Sequence, residues 1–114
     1  MIMELMPKEV RDRIPALYAQ EGVKSGEQII HVKLFDPSGR WTLYATEFDG
    51  EDTFFGYVKS PITPDYDEWG YSSLREIQQT RGLLGLPMER DLWFEPIMVK
   101  DCAELSHLSV METE

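Results

Sequence analysis

The sequence has a single cysteine, Cys102, among 114 residues, so no disulfide bond can form within the chain and a reducing compartment is expected. It has no Cys and His spacing of the kind that binds zinc. It also lacks a glycine-rich phosphate-binding loop, a dinucleotide fingerprint and a nucleophile elbow. No motif therefore assigns a catalytic activity, and we expect no cofactor.

Long apolar runs are also missing from the chain. No stretch approaches the roughly 20 apolar residues that a membrane span needs. The first residues lack the basic segment and the apolar run of a secretion signal. We therefore expect a protein that does not contact a membrane and that stays in the cytoplasm.

Basic residues are scarce, with 11 against 21 acidic residues and a net charge of −10 at pH 7. Residues 41–74 contain seven acidic residues and one basic residue, and residues 91–114 contain six and one. Proteins that bind DNA or RNA contact the phosphates with a basic surface, so direct binding to nucleic acid is not expected. The charge favours a basic protein as partner.

Alternating apolar and polar residues predict a twisted antiparallel sheet of about four to five strands. The predicted strands are residues 28–35, 40–48, 53–58, 69–71 and 92–96. Residues 36–39 (DPSG) and 49–52 (DGED) have the composition of tight turns, so the first three strands should form a meander. A face made of Ile30, Val32 and Leu34 is expected on the first strand.

Two helices are predicted beside this sheet. Residues 7–20 have apolar residues at helical spacing, and Pro15 should interrupt that helix. Ser73 followed by Glu76 has the pattern of a capping box, which predicts a short helix over residues 74–80. Strands and helices segregate along the chain, so we expect an α+β fold with both helices packed on one face of the sheet.

The domain organisation follows from the same pattern. Residues 1–100 are predicted to form a single α+β domain. Residues 101–114 are acidic and weakly patterned, so they are expected to form a weakly ordered C-terminal tail.

Several runs of the chain resemble a bacterial family known as domain of unknown function 2958. The most specific run is residues 46–56 (TEFDGEDTFFG), and the others are residues 5–11, 15–21, 70–74 and 81–92. The resemblance covers about residues 5–96, and the chain after Pro96 looks longer than the family pattern. It implies a setting on plasmids, phages or integrated elements, and it implies no activity, cofactor or catalytic residue.

The acidic residues divide into two candidate interaction segments, one at the predicted 49–52 turn and one in the proline-containing loop before residue 69. Exposed aromatic residues among acids would suit an interface anchor. The predicted partner-binding residues are Glu47, Asp49, Glu51, Asp52, Asp65, Tyr66, Asp67, Glu68 and Trp69. An ordinary solvated turn is the alternative interpretation of the first segment, and docking of the aromatics onto the domain is the alternative for the second.

A metal site is a further alternative, because clustered carboxylates bind Mg²⁺ through oxygen. Glu47 and Asp49 are two residues apart on a predicted strand end and should share a face. Arg90 is expected to pair with a carboxylate of the turn. The candidate ligands are Glu47, Asp49, Asp52, Glu89 and Asp91.

Three functions remain open from the sequence. The first is a non-catalytic acidic binding protein of a mobile genetic element, engaging a nucleic-acid-handling or host-defence protein as an anti-restriction factor or DNA mimic. The second is a hydrolase or nuclease that depends on a divalent metal. The third is a structural or small-ligand domain. An exposed sheet edge would also permit a homodimer.

Overall fold

The computed structural model describes residues 4–110, which form an α+β fold as predicted. The helices are α1 (Lys8–Arg11), α2 (Leu74–Gln79) and α3 (His107–Val110), with short 3₁₀ turns at Ser25–Glu27, Pro64–Tyr66, Leu83–Gly85 and Val99–Asp101. The strands are β1 (Ile29–Ile30), β2 (Val32–Phe35), β3 (Thr42–Phe48), β4 (Thr53–Lys59), β5 (Glu68–Ser73), β6 (Glu89–Arg90) and β7 (Ile97–Met98). No helix in the described part of the chain is long and apolar enough to cross a membrane.

The main sheet has five antiparallel strands in the order β5-β4-β3-β2-β6, and β1 pairs with β7 in a separate two-stranded sheet. The meander of β2, β3 and β4 is confirmed together with its two turns. In the first turn, the Gly39 N–H donates to the Asp36 carbonyl at 2.8 Å. In the second, the Asp49 N–H donates to the Thr53 carbonyl at 2.9 Å.

A β-bulge near Thr46 changes which side chains face each side of the sheet. The pairing of β3 with β4 shifts its register between Ala45 and Glu47. Phe48 therefore joins Leu43 and Ala45 on one face, whereas simple alternation predicts it on the other. The bulge turns Glu47 toward the opposite face, beside Phe55.

Each face of the sheet covers its own hydrophobic core. Both predicted helices pack on the first face, as expected, where Val10 of α1 and Ile77 of α2 join Leu34 of β2. The N-cap at Ser73 is also confirmed, since the Ser73 Oγ accepts the Glu76 N–H at 3.2 Å. The first helix is much shorter than predicted, because α1 ends at Arg11 and residues 16–22 form turns.

The second core corrects the predicted tail. Cys102, Leu105 and Leu108 are buried there against Tyr44 and Tyr57 of the sheet. The expectation of a weakly ordered tail is therefore wrong for residues 101–108, and residues 111–114 lie outside the described residues. Three apolar side chains at near-helical spacing were the signal of this packing, and the surrounding acidic residues obscured it.

Two predicted strands also need correction. The first strand divides at His31, so that Ile30 lies in the second core while Val32 and Leu34 lie in the first. The single face predicted for these three residues is therefore wrong. The strand predicted over residues 92–96 is absent, because Asp91 begins a turn in which its side chain accepts the Trp93 N–H at 2.9 Å.

Candidate functional site

Glu47, the first predicted partner-binding residue, has an internal role. Its side chain is only 5 % exposed. One carboxylate oxygen accepts the Tyr18 N–H at 2.7 Å and the other accepts the Gln20 N–H at 2.8 Å. These bonds attach the turn before β1 to the sheet, and Tyr18 has a positive φ of 70°. Glu47 is thus committed to holding this turn and is not presented to a partner.

Asp49 organises the turn between β3 and β4. Its Oδ1 accepts the N–H groups of Glu51 at 2.8 Å, Asp52 at 2.8 Å and Thr53 at 3.0 Å. These main-chain donors lower the pKa of Asp49 because they stabilise the ionised carboxylate. Asp49 is therefore an exposed negative charge that is fixed in position.

Asp52 connects the same turn to the start of α2. Its Oδ1 accepts the Arg75 N–H at 2.8 Å, and its Oδ2 accepts the Ser73 hydroxyl at 2.8 Å. The main-chain bond from Arg75 is the main cause of its lowered pKa, followed by the Ser73 hydroxyl. The Ser73 hydroxyl thus accepts a hydrogen bond from the Glu76 N–H and donates one to Asp52, and together these bonds fix α2 against the end of the sheet. Glu51 is exposed between these two aspartates.

The five candidate metal ligands are not brought together. Glu89 pairs with Phe35, and Phe35 pairs with Thr42 at the beginning of β3. Glu47 lies five residues further along that strand, which corresponds to roughly 16 Å. Among the described residues, no group of three or more His, Cys, Asp or Glu side chains is arranged to hold a metal ion.

Arg90 is also placed differently from its prediction. Its guanidinium donates to the main-chain carbonyl groups of Glu4 and Leu5, at the other end of the sequence. Burial lowers the pKa of Arg90. Arg90 therefore fixes the N-terminal segment to β6, and the expected pairing with the acidic turn is wrong.

The second predicted segment lies at the opposite end of β4. Asp67 accepts the Ser60 N–H at 2.8 Å and closes the loop between β4 and β5, while Asp65 and Glu68 are exposed. Tyr66 is 77 % exposed, as an interface anchor requires. Trp69 instead packs on the domain, with its ring 5.4 Å from Tyr57 and 5.9 Å from Phe55.

The structure also contains two depressions that the sequence analysis did not predict. One of about 400 Å³ lies beside β5 and α2, with Trp41, Ser72, Ile77 and Met88 in its wall. It includes two carboxylates, those of Asp36 and Glu76, and the Arg81 side chain.

The second depression has about 270 Å³ and lies between α1, β2 and the segment after β6. Its polar wall is formed by Arg13, His31, Arg90 and Asp91. Burial lowers the pKa of His31. The sequence alone does not predict such sites, because the residues that line them come from segments that are far apart along the chain.

The comparisons with known proteins agree with the resemblance seen in the sequence. Residues 5–111 match the model of a family described as a protein of unknown function, DUF2958. The chain belongs to this family. The match includes the segment after Pro96, so that segment is part of the family pattern and not an extension of it. No curated protein and no solved structure matches the chain.

Proposed function

We propose that this protein is a non-catalytic acidic binding protein that engages a basic protein in the cytoplasm. The observation that carries the proposal is an acidic segment whose carboxylates form none of the ion pairs found among the described residues. Residues 41–74 contain seven acidic residues and one basic residue. The ion pairs found in the described part of the chain are Lys8–Asp12 and Lys33–Glu104, and neither uses one of those seven carboxylates.

The exposed acids occupy both ends of the hairpin formed by β4 and β5. Glu51 lies at one end between the two capping aspartates, and Asp65 and Glu68 lie at the other. The low pKa values of Asp49 and Asp52 keep these groups charged near neutral pH. Such charges accelerate the association of a basic partner, and their effect weakens as salt screens them.

The proposed partner is a nucleic-acid-handling or host-defence protein, and the proposed setting is a mobile genetic element. A protein that binds phosphates presents a basic groove, and this groove is complementary to an acidic surface. The mobile-element setting comes from the family resemblance. In this proposal the protein acts as an anti-restriction or anti-defence factor, and in its narrowest form as a DNA mimic.

The experiment is an affinity purification of the tagged protein from a nuclease-treated bacterial lysate, with parallel washes at low and high salt. The test variant carries Glu51→Gln, Asp65→Asn and Glu68→Gln, which remove exposed acids that make none of the caps described above. The control variant carries Glu9→Gln, Glu21→Gln and Glu27→Gln, which remove the same charge elsewhere on the exposed surface.

Mass spectrometry should identify a basic nucleic-acid-binding protein that is retained at low salt by the wild type and the control, and lost by the test variant. Equal retention by all variants at high salt would contradict the proposal, because the attraction would then be independent of these charges.

A second candidate function is the binding of a small anion in the depression lined by Arg13 and Arg90. Two guanidinium groups line this site together with the carboxylate of Asp91, and the carboxylates of Glu4 and Glu9 also act on Arg90, so Arg13 is the group that an anion would depend on. Calorimetric titration with inorganic phosphate and acetate should detect binding that Arg13→Gln removes. No heat of binding at millimolar anion would exclude this function for these two anions.

A further inference from the structure

We propose that the outer edge of β5 binds an extended segment of the partner as an additional strand, with basic residues at both ends of that segment. The inference rests on the proposed binding of a basic protein and specifies how that protein is held. β5 is the terminal strand of the main sheet, and its six residues pair with β4 without interruption. A strand in this position offers unpaired main-chain groups to another chain.

The hydrogen-bonding direction of β5 follows from that of β4. The Thr53 carbonyl accepts from Asp49, and the Phe55 carbonyl accepts the Thr46 hydroxyl at 3.1 Å, so both face β3. Main-chain groups alternate in direction along a strand, so the groups of residues 54, 56 and 58 face β5. Their β5 partners, Ser72, Gly70 and Glu68, point inward. The N–H and C=O groups of Trp69 and Tyr71 therefore point outward.

Apart from the charge of Glu68 at its beginning, the sequence of β5 has no feature that protects this edge. Natural edge strands are blunted by lysine, proline or a bulge, and β5 (EWGYSS) has none of them. Tyr71 is 58 % exposed, and its ring lies 5.1 Å from Phe55. The edge is thus regularly paired and is exposed at Tyr71.

Gly70 leaves one face of the sheet open beside the middle of β5. A Cβ atom built on Gly70 has no heavy atom within 4 Å, and its φ is not in the left-handed region. Its partner Gly56 differs, because a Cβ there would lie 2.3 Å from the Tyr44 carbonyl oxygen. Gly56 is required by packing within the domain, whereas Gly70 is not. The open face at Gly70 therefore leaves room for a large side chain of an added strand at the neighbouring position.

The charges around β5 define the occupant. Asp65 and Glu68 lie at its beginning, and Glu51 and Asp52 lie near Ser73 at its end, roughly 17 Å away. The depression of about 400 Å³ adjoins Ser72 and has room for a long side chain. Its wall combines apolar groups with two carboxylates, Asp36 and Glu76, against one guanidinium, Arg81. A second copy of this chain, with its own charge of −10, would bring like charges together at this edge. A basic extended segment fits where a second copy does not.

The test uses the whole protein, labelled with ¹⁵N, and the synthetic peptide Arg-Lys-Thr-Val-Tyr-Val-Lys-Arg as probe. Tyr71→Pro removes an outward N–H without removing a bond to β4, and Tyr71→Ala is its matched control because it removes the ring but keeps the N–H. Thermal unfolding of both variants establishes that they are folded. A peptide in which glutamate replaces lysine and arginine tests the charge requirement.

Binding of the basic peptide should slow hydrogen exchange at the Trp69 and Tyr71 amides and leave the Gly70 amide, which already bonds to β4, unchanged. Tyr71→Pro should weaken the peptide affinity about tenfold or more relative to Tyr71→Ala. If the basic peptide binds all variants equally, strand addition is overturned while acidic binding stands. If neither peptide changes any amide at millimolar concentration, both proposals fail. If the protein instead dimerises in solution through β5, a second copy is the occupant and the partner proposed here is wrong.

Discussion

Replacing Glu47 with alanine is the sharpest test of the internal role that the structure gives this carboxylate. The change removes two hydrogen bonds to a charged acceptor, from the N–H groups of Tyr18 and Gln20. Bonds to charged groups contribute about 1.5–3 kcal/mol each. Release of the positive φ of Tyr18 would return about 1 kcal/mol of strain. We therefore expect Glu47→Ala to lower the free energy of unfolding by about 2–5 kcal/mol.

Urea unfolding followed by tryptophan fluorescence measures this loss. The urea dependence of a small domain is about 1–3 kcal/mol per molar, so at its central value of about 2 the midpoint should fall by roughly 1–2.5 M. Glu51→Ala is the matched control, because it removes an exposed acid of the neighbouring turn and should change stability by no more than about 0.5 kcal/mol. Glu47→Gln should fall between the two, since its amide retains one acceptor oxygen and places an N–H₂ group against a donor. Equal urea midpoints for the two alanine variants would refute the internal role and would mean that Glu47 behaves as an ordinary surface carboxylate.

Three further predictions follow from the packing and the titrating groups. Gly56→Ala should lower the free energy of unfolding by about 3 kcal/mol or abolish folding, because the added Cβ would clash with the β3 main chain. Thermal melting followed by circular dichroism measures the change, and an unchanged melting temperature would contradict the prediction. The pKa of Asp49 in the folded protein lies below its ordinary 3.8, so its contribution to stability is present above about pH 4 and is lost as the pH falls through the lower value. Asp49→Asn should therefore reduce the dependence of stability on pH in acid. An identical pH dependence would count against the hydrogen bonds that Asp49 accepts in the turn. Burial raises the pKa of the Cys102 thiol, so a disulfide reagent should react much more slowly with the folded protein than with the unfolded protein at neutral pH, and equal rates would mean that residues 101–108 do not pack as described.

Local chemistry explains why much of the fold was predictable. Three features depend only on residues at most four apart, so their residue types are sufficient to identify them. They are the turns at residues 36–39 and 49–52 and the helix cap at Ser73. Alternation over seven residues likewise predicted β3 and β4 almost to their ends. The charge imbalance of residues 41–74 is a property of composition and needs no structure.

The bulge near Thr46 is a feature of β3 that the sequence pattern did not predict. One additional residue in β3 reverses the face of Phe48 and Glu47, and nothing in the local alternation reveals it. The consequence for the site is large, because Glu47 becomes the acceptor for a turn 27 to 29 residues away instead of a surface carboxylate.

The sequence by itself determined the α+β class, the meander, the start of α2, the acidic character and the family. Only the tertiary structure decided which carboxylates hold the fold and which face the solvent, and that residues 101–108 complete a second core. Contacts between distant segments cause this division. Arg90 holds the carbonyl of Leu5, 85 residues earlier, and Leu105 packs in one core with Tyr44. Such pairings depend on how the whole chain closes on itself, and residue type and spacing describe only its local geometry.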